Sequence, residues 1–234
     1  MSVSTHGEPD AGRAVLQQPM GRPRATSRAA LERLAFELFA RQGFEATTVD
    51  DIARAAGIAR RTFFRYFASK NDLVWGDFEA HLLRLRTLLD EADPGTPMMD
   101  AVRAAVVEFN RFDPVDVPWH RQRMELILGV PTLQADGTLR YAAWRAVVSG
   151  FVAGRTGLPA SAPPPRLAGH VTLAAAVSAY EQWLSAEAPP PLAELLDEAI
   201  RHVAAGLTAM LDEPAGDLPG ALATRRHGAR ADDH

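Results

Sequence analysis

The stretch Thr47-Thr48-Val49-Asp50-Asp51-Ile52-Ala53-Arg54-Ala55-Ala56-Gly57-Ile58-Ala59-Arg60-Arg61-Thr62-Phe63-Phe64-Arg65-Tyr66-Phe67 places two short helical patterns on either side of one glycine. Thr48 and Asp51 form a capping-box pattern, in which a hydroxyl and a side-chain acceptor satisfy backbone N–H groups at a helix start. Val49, Ile52, Ala53 and Ala56 then fall on one face. Gly57 stops the helix, Ile58 anchors the turn, and a third helix is predicted from Ala59 to Phe67. Two short helices joined by a tight glycine turn make a helix-turn-helix, whose second helix enters the major groove of DNA. Phe63 and Phe67, four apart, share an inner face, which leaves Arg60, Arg61, Thr62, Phe64 and Arg65 on or near the outer side. Arginine there suits guanine edges or phosphates, and Thr and Phe suit a thymine methyl.

Upstream, a helix is predicted from Thr26 or Ser27, with Leu31, Leu34, Ala35, Leu38 and Phe39 in one apolar stripe. Gly43 ends it in the left-handed conformation, and Phe44 folds back on its last turn. Gly21-Arg22-Pro23-Arg24 precedes it as a short basic arm of the kind that reaches a minor groove. Downstream, Ser69-Lys70-Asn71-Asp72 caps a fourth helix expected to run unbroken to about Glu91. Apolar residues keep helical spacing beyond it, punctuated by Pro/Gly-rich breaks at 93–97, 113–118, 157–165 and 188–191, with no alternating strand pattern. Residues 1–20 and 213–234 lack periodicity and are expected to be a disordered lead and tail.

The net charge of −4 hides an asymmetry: residues 21–75 hold ten Lys+Arg against six Asp+Glu, whereas residues 76–234 hold 14 against 21. A basic third on an acidic remainder points to a polyanion partner for that third alone. A coding bias explains why Lys70 is the sole lysine, but not why the arginines cluster. With 47% hydrophobic residues the chain is long enough to bury a real core. The absence of cysteine excludes disulfides and thiolate chemistry. No stretch reaches the roughly 18 uninterrupted apolar residues a membrane span needs, and the chain reads as cytoplasmic with no membrane partner. There is no Gly-rich phosphate loop, no Gly-x-Ser-x-Gly, no His-Glu-x-x-His and no metal-ligand spacing among His81, His120, His170 and His202. No cofactor, no metal and no enzymatic activity are expected.

The run from Thr47 to Ile58, with Phe63 to Leu73, resembles the signature of the TetR family of bacterial regulators. The resemblance implies an all-α chain: an N-terminal three-helix helix-turn-helix domain over residues 21–70, then a C-terminal helical effector-binding and dimerisation domain over residues 71–212. It implies operator DNA, a small-molecule effector and a second copy of the chain as partners. It also implies that Thr48, Tyr66 and Lys70 hold phosphates, while Arg60, Arg61, Thr62 and Phe64 face the groove. With Arg22, Arg24 and Arg65 these are the expected DNA-binding residues. Two departures stand out: Ala59 replaces a small hydroxyl residue, and Phe64 replaces a tyrosine, so neither side chain donates to a phosphate. A narrower resemblance, to regulators that accompany mycofactocin biosynthesis genes, rests on the arm, the Arg60 to Phe67 run and Trp75-Gly76-Asp77-Phe78.

The stripe Leu192, Leu195, Leu196, Ala199, Val203, Gly206, Leu207 and Met210 requires a cover, and the preceding helix, about 166–185, carries the small residues Ala174, Ala175, Ala176, Ser178 and Ala179. The family resemblance makes these two helices a four-helix dimer interface; packing within one subunit is the competing reading. For the effector, Phe109, Trp119, Arg123, Met124 and Trp144 are the candidate lining, apolar and adaptable. Arg121, Arg123 and Arg140 are candidate anchors for a carboxylate or phosphate, although ion pairing is the commoner fate of such arginines. An acyl-CoA is the expected effector, by resemblance to regulators that sense acyl thioesters, and release of a repressor from a palindromic operator is the expected outcome. An effector-independent DNA-binding dimer is the alternative.

Overall fold

Capping chemistry sets the first two helices. The computed structural model describes residues 27–212, with side chains described as far as Leu207. Arg22, Arg24, the expected lead and the expected tail therefore lie outside the described residues. Ser27 caps α1 (Arg28–Gln42) by accepting from Ala30 N. Thr48 and Asp51 close the full capping box at the start of α2 (Val49–Ala56). Gly43 ends α1 with φ 85° and ψ 155°, so its φ is positive but it is not in the left-handed helical region expected for it; Gly57 is, at φ 67° and ψ 31°. Phe44 does fold back, its ring centroid 5.1 Å from that of Phe39.

The third helix is shorter than its sequence predicts. α3 (Arg60–Phe63) has no side-chain cap at Ala59, and the chain then tightens into turns in which Arg65 N donates to Thr62 O and Tyr66 N to Phe63 O. These three helices form one compact unit that ends at Tyr66, with a second unit from Phe67 onward. In the first unit Leu31, Phe36, Ile52 and Phe63 are buried completely. Phe36 was absent from the predicted stripe, and Leu34, which was in it, is only half-buried.

In the second unit, the expected unbroken fourth helix is two helices, α4 (Lys70–Trp75) and α5 (Phe78–Asp90). Gly76 breaks it at φ 65° and ψ −144°, a backbone that only glycine adopts without strain. Asp77 restarts the chain by capping Ala80 N at 3.2 Å. A Cβ at Gly76 would also collide with the Arg123 guanidinium. α6 (Met98–Phe109), α7 (Val117–Gly129), α8 (Pro131–Thr156), α9 (Pro163–Ser185) and α10 (Leu192–Asp212) complete the unit. Its larger core gathers Leu85, Leu89, Val102, Trp144, Val148 and Ile200; a smaller one gathers Tyr180, Trp183, Leu195 and Leu196.

Most of the α10 stripe is covered by its own chain. Leu192, Leu195, Leu196 and Leu207 are buried within the chain itself, because α10 packs on α9 and α6. Only its half-buried Ala199 and Val203 and its exposed Gly206 retain surface, and the side chain of Met210 lies outside the described set. The reason is geometric: a stripe about 100° wide is filled by two neighbouring helices, and its own chain supplies both.

Candidate DNA-binding interface

The outer surface of α3 is built by what α3 buries. Phe63 goes inward with no exposed surface, so the residue after it points out and Phe64 is 43% exposed, its ring edge-on to Phe63 at 5.5 Å. Arg60, Arg61 and Arg65 are exposed, and Thr62 and Tyr66 are half-buried. Arg60 pairs with Asp50 at 2.7 Å across two solvent-exposed side chains, and its guanidinium lies 5.3 Å from the Phe64 ring centre. Such a pair contributes little, about 0–1 kcal/mol, so a phosphate or guanine competes readily with Asp50. Arg61 has no ion-pair partner among the described residues, and Arg65 lies over the Tyr66 ring at 5.4 Å. Arg28 ties α1 to the end of this element by donating to Tyr66 O at 3.2 Å.

Thr48 is committed locally. Its hydroxyl donates to Asp51 Oδ2 at 2.6 Å while accepting from Asp51 N at 3.1 Å. Hydrogen bonds from the Thr48 side chain and backbone, then from Arg54, hold the Asp51 carboxyl down at about 2. A phosphate reaching Thr48 has to take the hydroxyl proton from Asp51, while the backbone half of the cap can stay. Lys70 opens α4 in the second unit, behind its cap Ser69. The structure thus brings Thr48, Arg60, Arg61, Thr62, Phe64, Arg65 and Tyr66 onto one three-helix unit; Lys70 belongs to the other.

Residues 33–74 match the family model described as bacterial regulatory proteins, tetR family, and residues 96–208 match the MftR C-terminal domain. A putative mycofactocin biosynthesis transcriptional regulator from Mycobacterium tuberculosis is 48% identical over 188 residues, which cover 80% of this chain and 94% of that protein. The chain belongs to the TetR family. It is therefore a helix-turn-helix DNA-binding transcriptional regulator and not an enzyme. Two solved structures share the fold of this TetR-family regulator. One is SmeT, the repressor of a Stenotrophomonas maltophilia multidrug efflux pump (TM-score 0.55, 16% identity, 77% of this chain and 89% of that one). The other is Thermus thermophilus FadR in complex with lauroyl-CoA (TM-score 0.50, 20% identity, 83% and 100%).

Of the regulator's five expected effector-lining residues, the three that join a core divide between the two cores. Trp144 is buried in the larger core with Phe109 packed against it, whereas Met124 packs on the smaller one. Arg123 lies 6.0 Å from the Trp119 ring centre. An open cavity of about 530 Å³ lies elsewhere, between α5 and α8, lined by Arg86, Leu89, Val147, Phe151 and Arg155 among others. Of the three candidate anchor arginines, Arg121 closes the end of α9, donating to the carbonyls of Trp183, Leu184 and Ala186. Arg140 pairs with Asp72 and Asp136.

Periodicity did not reveal a buried polar chain in this body, since its members come from three helices or their ends. Tyr180 OH donates to Asn110 Oδ1 at 2.6 Å and meets His120 Nε2 at 2.7 Å, so His120 presents its Nε2–H. The His120 ring stacks on Phe112 at 3.8 Å. Burial, then the charges of Arg123 and His81, depress His120 from 6.5 to about 3. Burial raises the Tyr180 phenol above its usual range. His120 is therefore neutral in the fold and titrates normally when unfolded. Its contribution is complete above about pH 6.5 and is lost as pH falls toward 3. Melting temperature should fall between pH 7 and pH 5 in the native protein, and His120→Gln should flatten that slope. An unchanged slope in the variant would assign the pH dependence to other groups.

Proposed function

We propose that this TetR-family regulator is a homodimeric, ligand-responsive repressor of mycofactocin biosynthesis genes, released from a twofold-symmetric operator by a fatty acyl-CoA. The observation that carries the pathway is the 48% identity across nearly the whole of the M. tuberculosis protein named for it. The DNA-binding domain is residues 21–70 and the effector and dimerisation domain residues 71–212, a division that keeps the phosphate-holding Lys70 with the head. The regulator works in the cytoplasm, where its operator is. Arg60, Arg61, Thr62 and Phe64 read the major groove, Thr48, Arg65, Tyr66 and Lys70 hold phosphates, and Arg22 and Arg24 reach the minor groove. The dimer uses α9 and α10 of each subunit, and α9 supports this by leaving Leu167, Ala174 and Ser178 exposed after its own chain has packed. The acyl chain lies among Phe109, Trp119, Met124 and Trp144, with Arg123 toward the polar end. FadR binds lauroyl-CoA; in this chain the support is an apolar, methionine-containing interior.

Arg61→Ala should cost roughly 1–3 kcal/mol of operator affinity and relax preference at particular base pairs, whereas Lys70→Ala should weaken all sequences alike. Fluorescence anisotropy on an operator and its point variants reads both effects, and a uniform loss for Arg61 would move it to the phosphates.

The deciding experiment is calorimetric titration of lauroyl-CoA into the protein with and without DNA from upstream of the mycofactocin genes. Coupling of about 1–3 kcal/mol corresponds to a roughly fivefold to 150-fold reciprocal weakening. Equal affinities in both titrations would leave an effector-independent DNA-binding dimer.

A further inference from the structure

Two hydrogen-bonding groups in the regulator's body are buried with no partner among the described residues, and the rings that carry them are neighbours. Trp75 Nε1 on α4 and Tyr141 OH on α8 have no hydrogen-bond partner among the described residues, although Trp75 is only 7% exposed. The two rings meet edge to face at 5.8 Å. Both rest on Gly137, where an added Cβ would come within 3.1 Å of Trp75 and 3.2 Å of Tyr141. Buried polar groups are nearly always paired, and two orphans at one place call for an explanation.

The chemistry of the orphans narrows the ligand. An indole N–H only donates. Tyr141 stays protonated, since burial and then the charge of Glu181 raise its phenol. Both therefore offer a hydrogen and require an acceptor. Charge decides which acceptor. Arg140 stacks over Trp75 at 4.9 Å, but Asp72 and Asp136 already hold it, and Arg123 lies against Gly76. Glu181 is the charge that acts on Tyr141, and Asp72 and Asp136 already neutralise Arg140, so the surroundings favour a neutral acceptor over an anion.

We propose that Trp75 Nε1–H and Tyr141 O–H together grip one neutral carbonyl oxygen of the effector. The inference rests on the ligand-responsive reading above and deepens it: in an acyl-CoA the thioester carbonyl is the neutral acceptor. The grip is on the last residue of α4, next to the Gly76 break, so occupancy acts directly on the joint between α4 and α5.

Nitrogen-15 labelled full-length protein has four indole resonances, one for each tryptophan, and Trp75→Phe identifies the one that matters. Titration with 2-octanone should move the Trp75 resonance downfield, octane should leave it in place, and octanoate should bind at least about tenfold more weakly than the ketone. Tyr141→Phe should weaken the ketone about tenfold. Without ligand, Tyr141→Phe should melt no lower than the native protein, and up to about 4 °C higher, because it deletes an orphaned donor while keeping the ring. A Trp75 resonance that ignores the ketone or answers octane equally overturns the proposal. So does a Tyr141→Phe protein that melts lower, the mark of a donor served by a buried water only. Lauroyl-CoA separates the two levels. Release of operator DNA that is equal in the native protein and both variants removes the carbonyl grip and leaves the regulatory reading. A ketone response without any lauroyl-CoA effect on the operator does the reverse.

Discussion

Phe63→Ala should abolish operator binding by unfolding the DNA-binding head, while Phe64→Ala, one residue on, should leave the head folded. Phe63 has no exposed surface, and Phe64 is 43% exposed. Truncating a buried phenylalanine costs about 3–5 kcal/mol. A single small core rarely supplies more than about 3–5 kcal/mol in total, so the loss is comparable with the whole stability of a three-helix unit. Phe64→Ala removes no core contact of that size. Its effect is confined to the edge contact with Phe63, to Arg60, whose guanidinium lies near the ring, and to whatever apolar contact the ring makes with DNA. Circular dichroism separates unfolding from lost contact, and anisotropy reports affinity. A Phe63→Ala protein that melts with the native head and binds DNA would sink the core assignment.

Ending the chain before Leu192 should destroy the cooperative fold of the body, an effect beyond loss of a dimer. α10 inserts Leu192, Leu195, Leu196, Ile200 and Leu207 into the protein's own two cores. Burying each such side chain is worth about 1.5–3 kcal/mol. Together they match the roughly 5–15 kcal/mol that holds a typical domain. The truncated chain should lose the near-ultraviolet signal of Trp144 and Trp183, both buried in the native body, and should no longer sediment as a dimer. Glu198→Ala, on the exposed side of the same helix, should change little. A truncated chain that keeps its tryptophan signal and is merely monomeric would return α10 to the role of a pure interface helix.

Local rules account for what was legible in the sequence. Caps, glycine stops and 3.6-residue periodicity act within a few residues, and they placed α1, α2, the Gly57 turn and the all-helical body correctly. The match of many positions at fixed spacing from Thr47 to Leu73 was enough to indicate the family, because a helix-turn-helix is specified by short-range chemistry. The outward direction of Phe64 and the arginines followed from Phe63 facing in.

What tertiary structure decided were the questions of which surface covers which. The break at Gly76 was invisible because a lone glycine inside a helical pattern is tolerated as often as it breaks one, and Asp77 caps the helix that restarts after it. The leucine stripe of α10 looks the same whether a partner or its own chain covers it; α6 and α9 of the same chain cover most of it. The Trp75–Tyr141 pair and the His120–Tyr180–Asn110 chain join residues 60 to 70 positions apart. Periodicity reports the face a residue occupies on its own helix. Only the packing of helices settles which faces meet, and that is where these two polar clusters lie.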